Sequence, residues 1–163
     1  MPEPASRSPE ESRSSVVRLM VPTDANFMGN VFGGILLEEI DRVAYITASR
    51  HAKSNCVTAS FDRVDFLAPV HVGEVVEFEA LLTYVGRCSM EIWVRTMAEA
   101  LDGGRSGVVA EAYVTMVAVD PGGRPVAVPA LAPRTPEEQA RFEAGRLRTE
   151  ARRSGRRPAA PKR

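Results

Sequence analysis

The sequence predicts an α+β fold, one long helix packed against an antiparallel sheet that curls around it. Two observations carry this. Residues 33–51 place Leu36, Ile40, Val43, Ala44 and Thr47 on one stripe of a helical wheel, the face that meets a sheet. Four long segments rich in Val, Phe, Thr, Tyr and Trp then follow in succession, with Gly and Pro turn signals between them. Consecutive strands joined by short turns pair antiparallel, and one helix covers only part of such a sheet. The uncovered edge and apolar surface favour dimerisation.

Residues 1–15 are rich in Pro, Ser, Glu and Arg and read as a disordered lead-in. Val16–Val21 is a short apolar strand stopped by Pro22, and Thr23–Asn30 is a loop with Asp24, Asn26 and Gly29 as turn formers. The long helix runs from Gly33 or Gly34 to about His51. Glu38, Arg42 and Ser49 lie nearly opposite its apolar stripe, and Asp41 falls between the two faces, beside Gly34, Leu37 and Ala48. Strands are expected at Cys56–Phe66, Glu74–Val85, Ser89–Ala100 and Val108–Asp120. Gly86-Arg87, Asp102-Gly103-Gly104 and Pro121-Gly122-Gly123 supply turns. Thr135 is a natural N-cap, Pro136 fits a first helical turn and Glu138 completes a capping box, so a second helix runs from there to about Arg148. The folded domain therefore spans 16–130, and 131–163 forms a helix and basic tail.

Lys plus Arg number 21 and Asp plus Glu 21 in 163 residues, so no overall charge points to nucleic acid. The arginine-rich end, from Arg146 to Arg163, reads as a solvated run. Cys56 and Cys88 lack metal-ligand spacing and read as structural thiols within strands; two histidines, His51 and His71, are too few for a histidine metal cluster. No segment reaches membrane-spanning length and none resembles a signal peptide, which makes the cytoplasm the expected compartment. Trp93, Phe78 and Tyr84 read as core or interface aromatics.

The chemistry concentrates in Asn30-Val31-Phe32-Gly33-Gly34 and the acid after it, Asp41. A turn, a helix start with bare backbone amides and a sheltered carboxylate together suit attack on a carbonyl. Each residue also has a structural reading. Asp41 could pair with Arg42, Asn30 could form the turn, and Gly33 and Gly34 could permit close helix–sheet packing. Thr58 and Ser60 follow one alternation on the strand beside the helix, so both hydroxyls are expected on one face, where one could hold a water; ordinary strand residues account for them equally.

Four segments in order carry a family resemblance: Pro22-Thr23-Asp24-Ala25-Asn26; Gly29 to Gly34 with Asp41 beyond; Asp65 to Val75; and Val85-Gly86-Arg87-Cys88-Ser89. Over about Val16 to Val128 the chain resembles acyl-CoA thioesterases of the hot-dog superfamily, in the acyl-CoA hydrolase branch. The resemblance implies a helix wrapped by a curved antiparallel sheet, a dimer joined into one continuous sheet with active sites at its interface, and trimers of dimers. It implies hydrolysis of acyl-CoA to free acid and CoA, with CoA as part of the substrate and no separate cofactor. Asp41 matches the catalytic acid, as general base or nucleophile, and Asn30 a polar residue acting from the facing subunit. Gly33 and Gly34 would supply oxyanion amides, and Arg87 and Ser89 would touch CoA. In tandem-domain relatives each domain keeps only one of the two polar residues; this chain carries both. Phe32 stands where many relatives have histidine. A non-catalytic acyl-CoA-sensing module is the alternative, although no DNA-binding segment is evident. Enoyl-CoA hydration would call for an Asp/His pair that the motif positions lack.

Overall fold

The structure is a computed structural model that describes residues 6–155. Five strands form one antiparallel sheet: β1 (Ser14–Leu19), β2 (Asn55–Phe66), β3 (Glu74–Val85), β4 (Ser89–Ala100) and β5 (Ser106–Val119), in the spatial order β1-β3-β4-β5-β2. Helix α1 (Gly33–Ala52) lies against one face and touches all five strands. Helix α2 (Pro136–Gly155) returns to the sheet after the last strand.

The two faces follow from strand alternation. Phe78, Ala80, Leu82, Met90, Ile92, Val94, Val114 and Met116 point toward α1 and are fully or almost fully buried. The helix meets them with Leu36, Ile40, Val43, Ala44 and Thr47, all buried, so the expected stripe is the observed one. Thr83, Glu91, Trp93 and Tyr113 occupy the other face, under α2. Tyr84 packs against Phe142 of α2, the rings tilted by 53° with 5.2 Å between centroids, and Arg141 lies 5.0 Å over the Trp93 ring. Phe78 is core, as expected, while Trp93 is half-buried beneath arginines.

Element limits differ from expectation where chain ends meet the body. Residues 7–15 are not a loose lead-in. A 3-10 turn forms at Pro9–Glu11, and Arg7 bridges to the chain after β5 through its N–H to the Ala130 carbonyl at 2.9 Å and the Ala132 N–H to its own carbonyl at 2.8 Å. The Arg7 guanidinium donates to the Arg50 and His51 carbonyls at 3.1 and 2.6 Å. Terminal helix carbonyls have no intrahelical partners, so a cation there satisfies them and ties the segment down. Residues 1–5 lie outside the described residues. α1 stops at Ala52 because Lys53 takes the left-handed conformation (φ 54°) and returns its N–H to the Ser49 carbonyl at 2.9 Å.

α2 starts with the capping box expected, Glu138 N–H donating to Thr135 Oγ1 at 3.1 Å and Thr135 N–H to the Glu138 carboxylate at 3.1 Å. It continues past Arg148 to Gly155, because its arginines find partners on the sheet. The basic run from Arg156 lies outside the described residues. Cys56 is a buried free thiol in β2; Cys88 sits in the β3–β4 turn rather than in a strand. Among the described residues no helix is long and apolar enough to cross a membrane.

Candidate active site

The start of α1 is held by its loop and left uncapped. Asn26 organises that loop: its N–H donates to the Asn30 carbonyl at 2.7 Å, and its Oδ1 accepts from the Met28 and Asn30 amides at 2.9 and 3.2 Å. Gly29 takes φ 84° between them, a conformation that favours glycine. Val31 N–H donates to the Val70 carbonyl at 2.8 Å and Phe32 N–H to the Asp24 carbonyl at 3.0 Å. Phe32 is the N-cap and offers no side-chain acceptor. Neither the Gly33 nor the Gly34 amide donates outside the helix among the described residues.

The two glycines differ. A Cβ on Gly33 would stand 3.3 Å from the exposed Phe66 ring, which would have to give way slightly to admit it. A Cβ on Gly34 would meet nothing within 4 Å. Packing inside the chain therefore does not demand Gly34. A cavity of about 380 Å³ opens beside this terminus, lined by Asn30, Gly33, Leu36, Phe66 and Val70 among others. Asn30 pairs with His71 through an isolated bridge, and the residue borders this cavity.

Asp41 is half-buried. Its Oδ1 accepts the Thr58 hydroxyl at 2.6 Å, and the Met116 sulfur lies 3.5 Å from the same hydroxyl. This O–H to carboxylate bond is of the charge-assisted type. The sequence alternative, pairing with Arg42, is not adopted: Arg42 goes to Glu38 and Glu39 instead.

Ser60 does not share the face of Thr58. The register of β2 shifts between them, so that Thr58 lies opposite Met116 but Ser60 opposite Thr115. The extra residue of a β-bulge reverses the alternation. Ser60 turns to the α2 side and donates to Asp62 Oδ1 at 2.6 Å. Of the two hydroxyls, only Thr58 stands at the acid.

Arg87 lies exposed in the β3–β4 turn, and Ser89 is the first residue of β4. The C-terminal part of α2 brings a second cation to that turn, since Arg153 Nη2 would be 3.3 Å from a Cβ on Gly86. Arg153 lies beyond Arg148, the helix end that the sequence predicts. Among the described residues no group of His, Cys, Asp and Glu could hold a metal ion.

One chain does not bring every candidate together. Gly34 and Asp41 stand seven positions apart on the helix, a rise of about 10 Å at 1.5 Å per residue, and neither Asp41 nor Thr58 lines the cavity beside Gly33. The candidates thus fall into two separate groups: the open amides with the Asn26–Asn30 loop, and the Asp41–Thr58 pair.

The thioesterase superfamily matches residues 28–102. An uncharacterized acyl-CoA thioester hydrolase of Bacillus subtilis, YkhA, is 40% identical over 138 residues, which cover 85% of this chain and 80% of that one. The chain belongs to the acyl-CoA hydrolase branch of the thioesterase superfamily. Its long helix and open five-stranded antiparallel sheet are the hot-dog architecture of that family. An apo-hexameric acyl-CoA thioesterase superposes with a TM-score of 0.88 at 41% identity, over 94% of this chain and 99% of that one. The acyl-CoA hydrolase of Staphylococcus aureus, in complex with butyryl coenzyme A, coenzyme A and coenzyme A disulfide, gives 0.84 at 35% identity over 91% of each chain. Structures of that enzyme also include variants with one asparagine, one aspartate or one threonine replaced by alanine.

Proposed function

We infer that the protein hydrolyses acyl-CoA thioesters to free acid and CoA. The observation that carries this reading is the Thr58–Asp41 pair, in which the hydroxyl of exposed Thr58 on β2 donates at 2.6 Å to one carboxylate oxygen of half-buried Asp41 on α1. The two residues stand 17 positions apart. That is also the separation of the aspartate and threonine replaced in the S. aureus enzyme. The asparagine replaced there precedes its aspartate by the same interval that separates Asn26 from Asp41. This spacing favours Asn26, which the sequence reading passed over as a turn former, as the polar partner; Asn30 then shapes the loop and borders the cavity.

A complete site needs two copies of the chain. β2 is an outer strand of the sheet, hydrogen-bonded on one side to β5, and its segment exposes Val57, Phe61, Phe66 and the following Leu67. An edge of that length with apolar neighbours suits pairing with another β2. Antiparallel pairing there would set the uncapped amides of one protomer toward the Asp41–Thr58 pair of its partner. The hexameric relatives support further assembly as a trimer of such dimers.

In this site the thioester oxygen accepts from the Gly33 and Gly34 amides, which stabilise the charge that develops on it. Asp41 acts as general base, removing a proton from a water that adds to the carbonyl carbon, or as nucleophile, forming an anhydride that water then opens. Thr58 orients the carboxylate. The C–S bond breaks as the tetrahedral centre collapses, and the thiolate of CoA leaves and is protonated. Arg87 and Ser89 hold the CoA part, the guanidinium facing phosphate oxygens. Fatty or related acyl groups are the substrate class.

Free-thiol release from a panel of acyl-CoA thioesters tests the reading. Wild type turns over, and Asp41→Ala abolishes release while keeping the wild-type oligomer and thermal transition. Undiminished turnover in Asp41→Ala rejects the assignment; acyl-CoA binding without thiol release by wild type favours the sensing module.

A further inference from the structure

β2 carries two register shifts in close succession, one between Thr58 and Ser60 and one between Phe61 and Arg63. A doubly bulged outer strand has a weakened ladder and a soft local geometry. In this chain the geometry is held from the opposite face of the sheet. Asp62 lies within the second irregularity. Its Oδ1 accepts the Ser60 hydroxyl at 2.6 Å, and its Oδ2 accepts the Thr115 hydroxyl of β5 at 2.6 Å and Arg152 Nη1 of α2 at 2.7 Å.

Arg152 also reaches Glu91 Oε2 at 3.2 Å. The Glu91 side chain is fully buried and accepts from Thr83 Oγ1 at 2.7 Å and Arg148 Nη2 at 2.8 Å. Two carboxylates and two guanidinium groups therefore balance one another between the sheet and α2. Gly145 lets the helix come this close, because a Cβ there would lie 2.8 Å from Tyr84 Cβ and 2.9 Å from Glu91 Oε1.

Well-packed apolar groups often stabilise a fold as well as a buried ionic network does, so stability is a weak account of this one. What it fixes is a register. Straightening the strand by one residue would exchange the faces of its side chains and carry Thr58 away from α1. Asp62 gathers the residue after the first bulge, the neighbouring strand and the helix on one carboxylate. Thr58 emerges on the other side, against Asp41.

We propose that Asp62, clamped by Arg152, is a positioning residue for thioester hydrolysis, locking the bulged segment of β2 so that the Thr58 hydroxyl meets Asp41. The inference rests on the hydrolase reading above. Through it α2 acts on the reaction from the far side of the sheet, without touching substrate.

The test is a double-mutant cycle on the full chain, with thiol release from an acyl-CoA as the activity and thermal unfolding measured alongside. Asp62→Asn keeps the shape but cannot accept from all three donors. It lowers kcat by roughly tenfold or more, the scale of a misplaced catalytic group, with a smaller change in KM. In a Thr58→Ala background the same substitution adds no more than about a twofold loss, because both act through one hydroxyl. Arg152→Met supplies a second cycle with the same expected pattern should Asp62→Asn fail to fold. Losses that multiply in the double variants, or an unchanged kcat in the single ones, overturn the inference while leaving the hydrolase reading intact. Wild type that releases no thiol overturns both.

Discussion

Replacing Gly34 with alanine should move stability and turnover in opposite directions. Within the chain the added methyl meets nothing within 4 Å, and the backbone is already helical. Alanine is favoured over glycine by about 1 kcal/mol in a helix interior, and by less in a first turn. The variant should thus be neutral to slightly stabilised, with a gain of at most about 2–4 °C in Tm for a chain of this size. The same methyl stands at the uncapped amides assigned to the thioester oxygen. Alanine keeps the N–H, but its methyl obstructs approach to the donor; a donor put fully out of reach costs about 3 kcal/mol in the transition state, or roughly a hundredfold in kcat. Differential scanning calorimetry, size-exclusion chromatography and thiol-release kinetics on one preparation separate the two effects. A kcat within about threefold of wild type, with the oligomer intact, would refute the placement of the oxyanion at this helix terminus. A clear fall in Tm would refute the claim that Gly34 has no packing role.

Arg87→Ala should raise KM for acyl-CoA by about threefold to tenfold, the yield of one exposed charge-assisted contact, with little change in kcat; an unchanged KM removes Arg87 from the CoA site. Gly145→Ala should destabilise by about 1–3 kcal/mol despite the better helix propensity, because Tyr84 Cβ and the Thr83 backbone cannot yield easily; a chemical denaturation midpoint at or above wild type would contradict it. Glu74 is the site of a pH effect. Burial pushes its carboxyl up, but Arg105 and the His71 N–H outweigh that and hold it below its ordinary value of 4.5. A depressed folded-state pKa gives stability that is full above the unfolded value and is lost as pH falls through the folded one. The Tm gap between wild type and Glu74→Gln should therefore be widest near neutral pH and close below about pH 4.5; a gap that stays constant down to pH 3 would exclude Glu74.

The regular elements were legible because their signals are local and repeat. The apolar stripe from Leu36 to Thr47 and the alternation in β3 and β4 leave few other arrangements, and the limits of β3 and β4 coincide with those expected. Ser60 was misplaced because a bulge adds one residue without leaving a glycine or proline to mark it; Ala59 looks like any strand residue. The segment from Arg7 to Arg13 was misread because composition reports average burial, whereas a few directed bonds to helix carbonyls order it. α2 was cut short for a related reason. Arg148 and Arg152 look like solvent-facing charge until the buried carboxylates opposite them are known. At the candidate site, order and spacing in the sequence single out the acid and the glycine pair. Asn26 is indistinguishable there from a turn former, and the proposal for it draws on its interval to Asp41 beside a relative.

The distance along α1 between the bare amides and the acid bears on inheritance as well as on chemistry. If each chain lends its carboxylate to one reaction centre and its amides to another, a defect in either half spoils only the centre that half serves. Asp41→Ala, expected to be inactive, and Gly34→Ala, expected to be strongly impaired, would then regain turnover when co-expressed, since a mixed pair contains one centre with both halves intact. The same bookkeeping explains how a duplicated and fused gene could shed one half from each copy and keep working.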